Sequence, residues 1–142
     1  MKPSHTFIDH TADVLFKAEA STLPELFEQC AIALEDTQVD ISLIEPKEDL
    51  VIEGKNKKID LLLFDFLDDL LFHKDADLLI FSKFDIKIVE KEGEYHLHCK
   101  ASGDKLDHAK HDPKVDVKAI TMHMFEVKKI NDGWIAHVLV DI

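Results

Sequence analysis

Apolar and polar positions alternate sharply just after the start of the chain. Val14, Phe16, Ala18 and Ala20 alternate with Leu15, Lys17 and Glu19, the period of a half-buried strand. Thr22-Leu23-Pro24-Glu25 then has capping-box spacing, with Thr22 as N-cap and Glu25 reaching back. Leu26, Phe27, Cys30, Ala33 and Leu34 follow at helical spacing, so a helix is predicted to about Glu35. Residues 36 to 49 form a polar connection containing Pro46, and "LVIEG" is a short strand. "IDLLLFDFLDDLLFHKDAD" is apolar on more than one face and interrupted by Asp60, Asp65, Asp68 and Asp69. It predicts a long helix packed deeply against a sheet, with its aspartates toward solvent.

The rest of the pattern is β-type. "LLIFSKFDIKIVEKEGEYHLHCKAS" alternates on both sides of Glu92-Gly93 and predicts a hairpin. "VDVKAITMHMFEVKKI" and "WIAHVLVDI" flank Asn131-Asp132-Gly133, a second hairpin turn. Two helices and several mostly antiparallel strands make an α+β sandwich in which the helices cover one sheet face. There is no internal repeat, low-complexity tract or Gly/Pro/Ser-rich linker, and 142 residues suit a single domain spanning 1–142.

Composition narrows the possible partners. Seventeen basic residues, all lysine, face twenty-nine acidic ones, for a net charge of −12. Proteins that read nucleic acid normally present a basic face, often with arginine forks. This chain is expected to avoid direct nucleic-acid binding and to be drawn to cations or to a basic protein surface. The alternative is that its acidity serves solubility alone. No apolar stretch is long enough to span a membrane, and MKPSHTFIDH lacks the apolar core of a signal peptide, which argues for a cytoplasmic protein. Cys30 and Cys99 form no metal or redox motif and read as two free thiols in or near the core.

The candidate chemistry rests on carboxylates. Asp9, His10 and Asp13 crowd into "FIDHTADV", at the start of the first predicted strand. Asp141 lies at the end of the last strand, beside Ile142 and its α-carboxylate. If the first and last strands are neighbours, these oxygens converge at one sheet edge, where like charges repel unless a cation joins them. Oxygen ligands without sulfur favour calcium, magnesium or manganese over zinc. The alternative is a solvated strand end. His96 and His98 share a strand face, with His108 and His111 close behind; that set would suit zinc or copper, or simply face water. His10 beside Asp9 has the makings of a carboxylate-oriented base, but no Ser, Cys or Thr nucleophile has a readable partner. There is also no P-loop, GxGxxG or CxxC pair. Lys118 lies between apolar neighbours in Val117-Lys118-Ala119-Ile120-Thr121 and reads as a mid-strand residue facing solvent, or as a contact for a phosphate or partner carboxylate.

Three separated stretches, "DHTADV", "VKAITMH" and the terminal "VLVDI", resemble the archease family over essentially the whole chain. The resemblance implies a non-catalytic activator of an RtcB-type RNA ligase in transfer RNA splicing. Such an activator promotes guanylylation of the ligase and multiple turnover, and broadens its nucleotide use. It also implies a divalent-cation site, with calcium the usual ion, built from Asp13, Asp141 and Ile142. By the same resemblance Asp9 and His10 support the turn or face the partner, Lys118 is a functional contact, and His111 has a partner-facing or supporting role. Met122 stands where many members have tyrosine, and Asp104 where glutamate is common; both departures bear on the partner-facing surface. The rival readings are a metal-dependent hydrolase or phosphotransferase using the same aspartates, and a chaperone-like binding module with an exposed apolar patch.

Overall fold

The computed structural model describes residues 1–8 and 13–142. Among the described residues, seven strands and three α-helices follow one another as β1 (Ser4–Ile8), β2 (Asp13–Ala20), α1 (Leu23–Gln38), β3 (Glu48–Asn56), α2 (Ile59–Asp77), β4 (Leu79–Lys91), β5 (Glu94–Lys105), α3 (His108–His111), β6 (Ala119–Ile130) and β7 (Gly133–Asp141), with a single 3-10 turn at Ile41–Leu43 between α1 and β3. All strand pairs are antiparallel. One sheet has the order β1-β2-β7-β6, the other β3-β5-β4.

The α+β architecture read from the pattern is present, with the strands divided between two sheets and each long helix packed against both. α1 lies on β2 and β7 of the first sheet and β4 of the second; α2 lies on β6 and on β3, β4 and β5. One core joins all of these. Phe16, Ala18 and Ala20 from β2 and Ala136, Val138 and Val140 from β7 meet Leu26, Phe27, Cys30 and Leu34 of α1 and Leu63, Phe66, Leu67 and Leu70 of α2. The second sheet adds Ile52, Leu97, Cys99 and Ala101. Phe27 stacks on Phe66 at 5.9 Å between ring centroids, which locks the two helices together at the centre.

Local sequence explains most element ends. Thr22 takes an extended conformation, and its hydroxyl accepts from the Glu25 N–H as an N-cap does; Glu25 reaches back to that same hydroxyl, which donates to its carboxylate. The helix continues past Glu35 to Gln38. Glu92 and Gly93 both have positive φ, 55° and 78°, as a two-residue hairpin turn requires. Gly133 starts β7 where the backbone of Ala20 passes close by: a Cβ there would sit 2.2 Å from the Ala20 carbonyl oxygen. Both cysteines are free and buried, as expected for core thiols.

Two expectations are corrected. The last-but-one strand does not begin at Val115; residues 113 to 118 run as an irregular segment and β6 starts at Ala119. That strand is also not continuous in register. Thr121 pairs with Leu139, but the next pair is Glu126 with His137, so a bulge containing Met122, Met124 and Phe125 interrupts the ladder. Met124 has a φ of 58° there, and Phe125 turns inward to meet Phe64 edge-on.

Candidate functional site at the acidic sheet edge

The first and last strands of the expected site are neighbours. In the β2–β7 ladder Asp13 is directly opposite Asp141, followed by Val14 with Val140 and Leu15 with Leu139. Cross-strand partners share a face, with Cβ atoms about 4.5–5.5 Å apart. Positions two apart share that face as well, so the Asp13–Asp141 pair stands next to Leu15 and Leu139. Both leucines are buried, at 4% and 2% exposure. A half-buried and an exposed carboxylate therefore adjoin an apolar floor. Apolar neighbours lower the local dielectric and strengthen any charge interaction made at that edge.

Ile142 follows Asp141 and packs against the main core while remaining half-buried, which ties the chain end to the sheet. On the other side of β7, Ala119 is opposite Asp141, and the Lys118 N–H donates to the Asp141 carbonyl at 2.8 Å. Lys118 is thus not mid-strand. It is an exposed residue one step before β6, attached by its backbone to the carboxylate-bearing strand end. Asp9 and His10 lie outside the described residues.

A groove of about 350 Å³ borders Asp13, lined also by Phe7, Ile8, Val14, Asp36, Thr37, Lys114 and Val115. Phe7, Ile8 and Val115 are exposed, and so are Met122 and Met124 on the β6 bulge. Acid and apolar surface meet on this side of the molecule. Among the described residues no group of three or more His, Cys, Asp and Glu side chains is arranged to hold a metal ion. The edge supplies two carboxylate side chains, with the main-chain oxygens of Ile142 beside them in sequence.

His111 lies inside the fold at the end of α3, away from the aspartate pair in sequence. It is completely buried, and its Nδ1 accepts from the Asp107 N–H at 2.9 Å. That bond places the ring proton on Nε2, which points toward the Asp104 carboxylate 3.7 Å away. Asp104 also accepts from the Lys110 ammonium at 2.7 Å, and this contact holds its carboxyl below the usual carboxylate range. Asp104 thus anchors α3 and the turn around it. His96 and His98 do share a face of β5, but there His96 is opposite Lys55 and Val89, and His98 opposite Glu53 and Lys87.

Sequence reasoning missed the residues that hold the 113–118 segment in place. Lys74 of α2, only 6% exposed, donates to Asp116 at 2.9 Å and to the Val117 carbonyl at 3.3 Å, and pairs with Asp75 at 2.8 Å. Lys114 donates from its backbone to the Gln38 carbonyl at 2.8 Å and from its ammonium to the Asp36 carbonyl at 3.0 Å. A lysine inside an otherwise apolar helix pattern was the available signal. Glu35 was also missed. It is fully buried, one oxygen accepts from the Phe81 N–H at 3.1 Å, and burial pushes its carboxyl up to about 8 against the opposing pull of that bond and of Lys74.

The archease protein family matches residues 5–142. The chain belongs to the archease family. It is 42% identical over 135 residues to the protein archease of Pyrococcus furiosus, covering 94% of this chain and 95% of that one. It is 39% identical over 137 residues to the protein archease of Methanothermobacter thermautotrophicus, covering 96% of both. The solution structure of Methanobacterium thermoautotrophicum protein 1598 superposes with a TM-score of 0.87 at 36% identity, over 97% of this chain and 98% of that one. A crystal structure of an archease from Thermotoga maritima, described as a possible chaperone, shares the fold with a TM-score of 0.63 at 18% identity, over 95% and 94% of the two chains. Among the described residues no helix is long and apolar enough to cross a membrane.

Proposed function

We propose that this family member activates an RtcB-type RNA ligase of the tRNA-splicing class, and that Asp13, Asp141 and the main-chain oxygens of Ile142 hold a divalent cation. Calcium is the first choice, with magnesium and manganese as alternatives, because all the donors are hard oxygens. The observation that carries the reading is the direct pairing of Asp13 with Asp141 beside buried Leu15 and Leu139. Like charges directly opposite each other in a ladder are destabilising. The donor set fits a cation, since positive charge at this edge turns that repulsion into shared attraction.

When bound, the ion supplies a fixed positive point on an otherwise acidic surface. The chain's own residues do the rest. The β2–β7 register sets the spacing of the two carboxylates, and the Lys118 N–H holds the Asp141 carbonyl, leaving the lysine head exposed beside the site. Phe7, Ile8 and Val115 offer apolar contact area next to that charge. A net charge of −12 steers the protein toward a basic ligase surface and away from free RNA, so docking should weaken with salt. The activity resides in the ligase, which attaches guanylate to itself; this chain promotes that step and repeated turnover, and widens nucleotide use.

The test is a guanylylation assay of a cognate ligase with and without this protein, in wild-type and Asp13→Ala forms. Wild type should stimulate; Asp13→Ala should not, with its circular dichroism unchanged. Normal stimulation by a variant that binds no calcium refutes the reading. A chaperone reading draws on the exposed Phe7, Ile8, Met122 and Met124. It requires the protein to suppress aggregation of unrelated chains without added cation. A hydrolase or phosphotransferase reading requires turnover of phosphoesters or nucleotides by the protein alone.

A further inference from the structure

The chain has three methionines, and two of them flank a histidine in Met122-His123-Met124. These three residues lie in the β6 bulge. Thr121 pairs with Leu139 and Glu126 with His137, so residues 122–125 occupy the stretch opposite Val138 alone. β6 ends the strand order of its sheet, with no partner on its other side among the described residues. Phe125 anchors one side of the bulge through its edge-on contact with Phe64, and on the other the Thr121 hydroxyl donates to the His123 carbonyl at 3.5 Å. Met122 and Met124 are 52% and 49% exposed, and His123 is exposed between them. Among the described residues the His123 ring makes no hydrogen bond, ion pair or ring contact.

We infer that this bulge is a binding site for a soft monovalent metal ion of the copper(I) class, held by the thioether sulfurs of Met122 and Met124 and a ring nitrogen of His123. The class of ion follows from the donors. Thioethers are soft and neutral. They select copper(I) over calcium or magnesium, which need oxygen, and over zinc, which prefers thiolate and imidazole. The reach follows from the spacing. Two residues along a chain the Cα atoms are at most about 7 Å apart, and each methionine has three rotatable bonds with which to turn its sulfur toward a common ion. In a regular strand His123 would face away from both methionines. Here residues 122–125 have no partner in the ladder and Met124 has a φ of 58°, so that alternation does not apply. A positive φ at methionine is strained, and such strain is found where a segment has a task. The net charge of −12 draws cations of every kind, and softness separates this site from the oxygen donors at the sheet edge. The two thiols do not compete. Cys30 and Cys99 are fully enclosed, and burial raises the proton affinity of each, so neither offers a thiolate at the surface. The inference does not rest on the cation at Asp13 and Asp141.

Silver(I), a redox-silent stand-in for copper(I), is the probe, added as the nitrate to the whole protein carrying 13C-methyl methionine. The three methionines give one methyl signal each. Those of Met122 and Met124 should move together and saturate at one ion per chain, and the His123 ring signals should move with them. Met1, a lone exposed thioether, should respond only at about tenfold higher silver or more. Copper(I), added without oxygen, should give the same pattern. Met122→Leu and Met124→Leu keep the apolar bulk and remove one sulfur each; either should weaken silver binding about tenfold or more, and His123→Ala about threefold or more. All three positions are exposed, so the variants should fold, and the wild-type titration stands without them. Equal response of the three methionines, movement of Met122 or Met124 alone, or unchanged affinity in any of the three variants overturns the inference. So does a first equivalent of silver that goes to the thiols and unfolds the chain, read by circular dichroism.

Discussion

Replacing Glu35 by glutamine isolates the electrostatic cost of one buried carboxyl. In the folded chain one oxygen of Glu35 accepts from the Phe81 N–H and the other has no hydrogen-bond partner among the described residues. Burial raises its proton affinity most, the Phe81 bond and Lys74 lower it, and the net result is a carboxyl pushed from 4.5 to about 8. In the unfolded chain the group has its ordinary affinity and ionises near 4.5. Between those two values the native state holds one proton more than the unfolded state, so stability falls as pH rises. The contribution is fully present below 4.5 and is lost by the time the pH passes about 8. At about 1.4 kcal/mol for each tenfold change in proton affinity, the whole window spans roughly 5 kcal/mol, and about 2–3 kcal/mol of it falls between about pH 5 and about pH 7. Against a total of about 5–15 kcal/mol for an ordinary domain, that is large enough to read directly.

Glutamine keeps the acceptor for Phe81 and cannot ionise. Urea unfolding of wild type and Glu35→Gln, at matched ionic strength from about pH 5 to about pH 8, gives the difference curve. Other titrating groups are common to both proteins and cancel. The variant should gain on wild type steadily as pH rises, by roughly 2–3 kcal/mol or more across the range. A difference that stays flat within about 0.5 kcal/mol, or that runs the other way, refutes the assignment of a proton to Glu35 at neutral pH.

Calcium at about a hundredfold excess over its Kd should stabilise wild type by about 2.7 kcal/mol, seen as a rise in Tm. Asp141→Asn should lose that gain, because one of the two paired carboxylates is gone. Gly133→Ala should cost about 1–3 kcal/mol in urea unfolding, since the added methyl collides with the Ala20 backbone. His111→Ala should cost about 2–4 kcal/mol, combining a cavity with an unpaired Asp107 N–H; a neutral substitution there would show that α3 is not anchored through this ring.

What was legible in the chain depended on period and on position. β2, α1 and the β4–β5 hairpin announced themselves because each buries one face and exposes the other, and α2 because a long apolar run is broken only by aspartates. β1 did not. Of Ser4–Ile8 only His5 is even half-buried, so an edge strand of this kind has no apolar alternation to read. Asp13 and Asp141 were legible as a pair because strand ends that are close in a sheet bring their last residues together. The ladder was needed to show that they are direct partners. Glu35 looked like the end of α1 and Gln38 like part of the polar connection after it, since the apolar residues at helical spacing ended at Leu34. They are buried because Phe81 of β4 meets Glu35, and because β4 and the 113–116 segment close over Gln38. No local pattern carries a contact between residues more than forty positions apart.

Those long-range contacts explain how an acidic protein without arginine builds a defined edge. Residues 113–118 contribute little regular structure, yet three lysines hold the segment at successive points. Lys114 fixes it to the end of α1, Lys74 fixes Asp116 and Val117 to α2, and the Lys118 backbone fixes it to Asp141. A lysine head is a point charge with rotatable donors, suited to collecting carbonyls and carboxylates from different directions where arginine's planar fork is not. Each attachment removes freedom from the strand end that bears Asp141, and the register with β2 does the same for Asp13. The two carboxylates are thereby kept opposite each other from both sides, instead of relaxing apart as isolated like charges on a frayed strand end would. Stiffness spent on holding repelling groups together is what a cation site requires, because an ion gains most from ligands whose separation is already set before it arrives.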